Sequence, residues 1–205
     1  MYDKAPGMKQ ELKRSRAKAY FLQATKSMIS TEGVKSVTVR KVADAAGYTY
    51  PTLYNYFEDL NELLWETKRI MIRELADALP QTMHAPIRDA EDIKKVFRAY
   101  VEYYLINPHV FEFFYLCRLE KPNEKPDDTE PDYGTMWNET FSCFVLNGRM
   151  READVEVVAK TCIYAMHGML TLHFSNNGDL REKTNLYSDL DKMVDYLLKQ
   201  REASL

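Results

Sequence analysis

The sequence predicts an all-α protein, with an N-terminal helix-turn-helix bundle of three helices followed by a larger helical bundle. Apolar residues recur at helical spacing along almost the whole chain, with no strand-like alternation and no internal repeat. Two short helical stretches flank a glycine-containing break at Ala46-Gly47-Tyr48-Thr49, the skeleton of a helix-turn-helix. The 205 residues, 45% apolar and 29% charged, can bury a substantial core and are too mixed for disorder or membrane insertion.

Each element has its own signal. Tyr20, Phe21, Ala24 and Met28 place a first helix from about Lys9 to Thr31, stopped by Gly33. Val39–Ala45 forms a second, with Thr38 as N-cap and Gly47 just past its end. Thr49 can cap a third, Tyr50–Phe57, where Pro51 falls in the first turn and removes no intrahelical bond. Asp59-Leu60-Asn61-Glu62 has the form of a capping box and launches a helix towards Leu79-Pro80. A stripe through Ile93, Val96, Phe97, Tyr100, Val101 and Tyr104 ends at Asn107-Pro108, and another through Val110, Phe113, Phe114 and Cys117 reaches Leu119. The segment 121–132, with three prolines and no apolar residue, reads as a solvated loop. Helices are predicted over Thr135–Leu146, Glu152–Phe174 and Leu186–Arg201, and the domain boundary falls between residues 59 and 60.

Charge is unevenly distributed. Residues 1–60 carry 10 Lys/Arg against 6 Asp/Glu, and residues 61–205 carry 18 against 25, so a +4 segment precedes a −7 body. That balance points to a polyanionic partner for the first third only. Cys117, Cys143 and Cys162 are odd in number and widely spaced, as expected of unpaired thiols in a reducing compartment. No stretch is long and apolar enough for a membrane helix, the N-terminus lacks the apolar core of a signal peptide, and a cytoplasmic location is expected.

The densest information lies in VTVRKVADAAGYTYPTLYNYF, whose last ten residues hold five rings. At 100° per residue, Leu53 and Phe57 fall within about 40° of each other and form the buried face of the third helix. Pro51, Thr52 and Asn55 lie opposite, with Tyr50, Tyr54 and Tyr56 on the flanks. Thr52 and Asn55 can donate to and accept from base edges, and tyrosines can meet thymine methyl groups, sugars and phosphates. Thr38 and Arg40 open the preceding helix, where free N–H groups suit a phosphate.

These residues, from Thr38-Val39-Arg40-Lys41-Val42-Ala43 through Ala46-Gly47 and Thr49-Tyr50-Pro51-Thr52-Leu53-Tyr54-Asn55-Tyr56-Phe57 to Asn61-Glu62-Leu63-Leu64, resemble the DNA-binding domain of the TetR family of bacterial regulators. The likeness covers about Ala19 to Leu64. It implies a homodimer that binds double-stranded operator DNA through residues 1–59 and a small-molecule effector through residues 60–205. Tyr50, Pro51, Thr52 and Asn55 are then base contacts, and Thr38, Arg40, Thr49, Tyr54 and Tyr56 belong to the same DNA-binding set. The chain departs from the family where a phosphate-clamping lysine often follows the Tyr-x-Tyr-Phe pattern, since Glu58-Asp59-Leu60 stands there. Lys9, Lys13, Arg14 and Arg16 are candidates to supply the missing charge.

In the second domain, Tyr100, Tyr103, Tyr104, Phe113, Phe114, Trp137, Phe141, Tyr164 and His167 are the candidate lining of a site for an apolar or aromatic effector. Val158, Cys162, Ala165, Met169, Leu190, Val194 and Leu197, on the last two long helices, are the candidate dimer interface. No catalytic constellation is recognisable: HExxH, Gly-x-Ser-x-Gly and phosphate-binding glycine loops are absent from the sequence. His167 and His173 lie about 240° apart on one helix and cannot share a metal, and His84 and His109 fall near helix ends. Neither a cofactor nor a metal is expected. The competing expectation is a helical small-molecule carrier or enzyme with a vestigial DNA-binding head.

Overall fold

The computed structural model describes residues 6–78, 87–120 and 133–199, and all regular structure among them is helical. In chain order the α-helices are α1 (Pro6–Glu32), α2 (Val39–Ala46), α3 (Tyr50–Leu53), α4 (Leu60–Ala78), α5 (Ala90–Ile106), α6 (Pro108–Phe111), α7 (Tyr133–Leu146), α8 (Glu152–Phe174) and α9 (Lys183–Lys199). The expected loop at 121–132, His84 and the end of the last helix at Arg201 lie outside the described residues.

The chain forms two compact units. The described residues of the first, here the head, are 6–77 and 109–120, and those of the second are 78, 87–108 and 133–199. Compactness therefore divides the chain elsewhere than the 59/60 boundary read from the motif. The physical reason is a set of polar ties on α4 and the α1–α2 turn. Asn61 exchanges two hydrogen bonds with the Glu120 backbone, at 2.7 and 3.0 Å. Lys68 donates to the Phe114 carbonyl at 2.6 Å, and Lys35 pairs with Glu112 at 3.0 Å. The Phe114 carbonyl belongs to a π-helical turn, Glu112–Leu116, that replaces the continuous helix expected there. The His109 ring closes on Gly33, where an added Cβ would stand 3.0 Å from Nδ1. Gly33 also has φ +84°, a conformation that excludes a side chain on two grounds.

The head core is built from Phe21, Ile29, Val42, Ala43, Leu53, Phe57 and Leu63, all at most 1% exposed. Thr38 caps α2, its hydroxyl accepting from the Lys41 N–H at 3.3 Å, and Gly47 ends that helix in the left-handed conformation at φ 78°, ψ 27°. Asp59 accepts from the Glu62 N–H at 2.7 Å, and Glu62 reaches back to the N–H of Glu58 at 2.6 Å. That is the reciprocal bonding of a capping box with its return arm one residue earlier than the sequence form implies. In the second unit α5, α8 and α9 pack on one another, with α7 against α8. Ile93, Val101, Tyr104, Phe141, Ala159, Leu170, Leu186 and Leu190 form its driest part.

Candidate DNA-binding face and effector domain

Recognition begins with how α3 ends. The expected helix Tyr50–Phe57 is α-helical only to Leu53. Beyond it the Asn55 and Tyr56 N–H groups bond to the carbonyls of Thr52 and Leu53, three residues back, which tightens the last turn. Leu53 and Phe57 remain on the buried side, as helical projection requires. Thr49 gives α3 no side-chain cap; its hydroxyl sits 2.8 Å from that of Thr52.

The five rings divide into three roles. Phe57 is core and meets Phe21 edge-on, with centroids 6.4 Å apart. Tyr48 and Tyr56 lean on the same Phe21 at 5.1 and 5.6 Å, so they brace the turn against α1. Tyr50 and Tyr54 are 50% and 52% exposed. With them, Thr38, Arg40, Thr49, Pro51 and Asn55 are exposed, while Thr52 and Tyr56 are half-buried. Seven of the nine predicted DNA-contact residues are thus exposed and two half-buried. The bracing role of Tyr48 and Tyr56 was invisible to helical projection because their partner lies 27 and 35 residues earlier in the chain. Arg40 lies with its guanidinium carbon 5.8 Å from the Tyr50 ring centroid, which orders that ring at the start of α3.

Residues 21–67 match the family model of bacterial regulatory proteins of the tetR family. Those residues form a TetR-family DNA-binding domain. Solved structures of similar fold cover most of the chain's length. The fatty acid degradation regulator FadR from Bacillus halodurans superposes with a TM-score of 0.64 at 16% identity, covering 96% of this chain and 97% of that one. FadR from Bacillus subtilis, solved with stearoyl-CoA, gives 0.65 at 15% identity, covering 88% and 97%. RolR in complex with resorcinol gives 0.60 at 17% identity, covering 94% of each chain. At these identities the likeness is one of fold. Among curated proteins none matches this chain in sequence.

In the second unit, four of the nine expected effector residues come together. The Tyr100 hydroxyl and His167 Nε2 are 2.6 Å apart, with their rings stacked at 6.0 Å. Tyr104 meets both Tyr100 and Tyr103 edge-on at 5.0 Å. Burial pushes the His167 imidazole down to about 4, so it is neutral at physiological pH and can share the tyrosine bond in either tautomer. Phe141 packs on Phe144 in the core, and Trp137 is half-buried. Phe113 and Phe114 are buried within the head unit. Tyr164 is 66% exposed and does not join the enclosed cluster. A shallow cleft of about 270 Å³ on the second unit is lined by Arg98, Ala99, Glu102 and Tyr187, none of them an expected effector residue.

The expected interface set also divides. Val158, Cys162, Leu190 and Val194 are buried within a single chain, where they serve its own core. Burial pushes the Cys162 thiol up to about 12, which keeps it protonated and unreactive. Ala165, Met169 and Leu197 are half-buried. Periodicity could not separate the two faces of α8, because both are apolar. Opposite the core stripe runs a second one through Val157, Thr161, Tyr164, Gly168 and Leu172, all exposed. An atom added at Gly168 would meet nothing within 4 Å. Among the described residues no helix is long and apolar enough to cross a membrane.

Proposed function

We propose that two copies of this chain bind a near-palindromic operator and repress transcription until a small apolar or aromatic molecule occupies the second unit. The observation that carries the DNA side is the sorting of α3: Leu53 and Phe57 buried, Tyr50, Tyr54, Pro51 and Asn55 turned to solvent. So much ring and amide surface outside the core stripe of a single turn is suited to the major groove, where Asn55 and Thr52 read base edges.

Dimerisation is supported by the second apolar stripe of α8, of which Val157 is 63% and Leu172 46% exposed, and by the exposed Tyr196 on α9. Apolar surface of that continuity on one chain fits an isologous contact. The effector reading is supported by the Tyr100–His167 pair, a neutral polar handle among tyrosine rings. Such a handle suits a neutral molecule with one hydrogen-bonding group, a class that includes the resorcinol bound by RolR. Effector binding then needs to favour the DNA-incompetent arrangement by only a few kcal/mol, and α4, whose last residue Ala78 opens the second unit, is the covalent route.

Footprinting on DNA upstream of the chain's own gene tests the reading. Sequence-selective protection of two half-sites about one helical turn apart is expected. Complete absence of selective binding would favour a small-molecule protein with an idle head. A metabolite panel followed by thermal unfolding would identify the effector, since a ligand at 100 times its dissociation constant adds about 2.7 kcal/mol.

A further inference from the structure

Two arginines bracket the recognition helix. Arg40 stands at its start, over Tyr50. At its end Arg14 of α1 donates through Nη2 to the Asn55 carbonyl at 3.4 Å, with its side chain exposed. Helix geometry accounts for that position. The buried side of α1 runs through Ala17, Phe21, Thr25 and Met28. At 100° per residue, Arg14 lies about 60° from Ala17 and within that arc, one turn earlier. The core stripe of α1 therefore runs out into an arginine just where the bundle ends, and the side chain reaches the end of the recognition segment.

Four other cations of the head are answered by carboxylates. Lys18 pairs with Glu66 at 2.6 Å, Lys35 with Glu112 at 3.0 Å and Lys41 with Glu32 at 4.0 Å, and Lys26 pairs with Glu74. Among the described residues neither Arg14 nor Arg40 has a carboxylate partner. A single carbonyl occupies one of the five Arg14 N–H donors and leaves its charge uncompensated. Immediately after the recognition segment the chain offers no cation of its own, only Glu58 and Asp59. Guanidinium groups of this kind match phosphate geometry.

We propose that Arg14 contacts the DNA backbone on one wall of the major groove while Arg40 contacts the other, so that α3 is straddled by two charges. The rise from Tyr50 to Asn55 is about 8 Å, and the groove is about 12 Å wide, so two arginine arms span it. The inference rests on the DNA-binding reading above and adds to it a contact supplied by α1.

The test uses a labelled duplex of about 30 base pairs, selected from a random-sequence pool by the unmutated protein, beside an unrelated duplex of equal length. Anisotropy titrations compare the unmutated protein with Arg14→Ala, Arg14→Gln and Arg14→Lys, each checked by thermal unfolding. Gln keeps a donor for the Asn55 carbonyl and loses the charge. Ala and Gln variants are expected to bind both duplexes about three- to tenfold more weakly, with a salt slope shallower by about one per head, and Lys to retain most affinity. Unmutated affinity and slope in Arg14→Gln would overturn the proposal and leave Arg14 as a cap of the recognition segment. A loss confined to the selected duplex would overturn it in favour of base readout. If the unmutated protein selects no duplex, the DNA-binding reading itself fails, a result distinct from a binding protein indifferent to Arg14.

Discussion

Asn55 and Thr52 carry the sharpest expectation at the residue scale. Both lie on the solvent side of α3 or its edge, and neither supports the head core, which rests on Leu53 and Phe57. Asn55→Ala and Thr52→Ala should each relax base preference at one position, worth about 1–3 kcal/mol of discrimination, with little change in thermal stability. An unchanged profile in a random-pool selection would remove that residue from the readout. His167 carries a pH expectation. Its imidazole titrates near 4 in the fold against about 6.5 in the unfolded chain, so only the unfolded chain gains the proton between those values. Stability should therefore be intact above about pH 6.5 and fall as pH drops towards 4. Allowing for partial solvent screening, the loss is on the order of 1–2 kcal/mol. His167→Gln should flatten that limb in urea midpoints measured across the range.

The face of a helix decides more than its length at the element scale. On α8, Val158 and Tyr164 are both apolar and six residues apart, yet one is core and the other surface. Val158→Asp should destabilise the single chain by several kcal/mol through a buried unpaired charge. Tyr164→Glu should leave unfolding nearly unchanged and convert the dimer to monomer by sedimentation. A Tyr164→Glu protein that stays dimeric would place the interface elsewhere. α8 had been legible in extent, Glu152–Phe174, because its apolar residues are continuous. The same continuity concealed which stripe belongs to the chain's own core. The break after Phe111 was not legible either, since a π-helical turn carries no sequence period of its own and is held by Lys68 on α4.

The whole molecule adds symmetry and net charge. Two heads on a two-fold axis must meet grooves about 34–36 Å apart, so operator half-sites separated by half a turn more or less should bind poorly. Four lysines of each head pair with carboxylates, which leaves them less available to phosphate. The dependence of affinity on salt should accordingly stay below ten equivalent phosphates per dimer, and a steeper slope in filter-binding titrations would require further contacts.

By itself the sequence determined the all-helical class, the Thr38 cap and Gly47 stop of α2, and the burial of Leu53 and Phe57. Those depend on local periodicity, caps and turn residues, all of which act within a few positions. Only the tertiary structure decided that Tyr48 and Tyr56 brace Phe21, that Arg14 reaches Asn55, and that residues 109–120 belong with the head. It also decided which apolar stripe of α8 is surface. Each of these is a contact between residues far apart in the chain, set by which faces pack, and no local pattern encodes it.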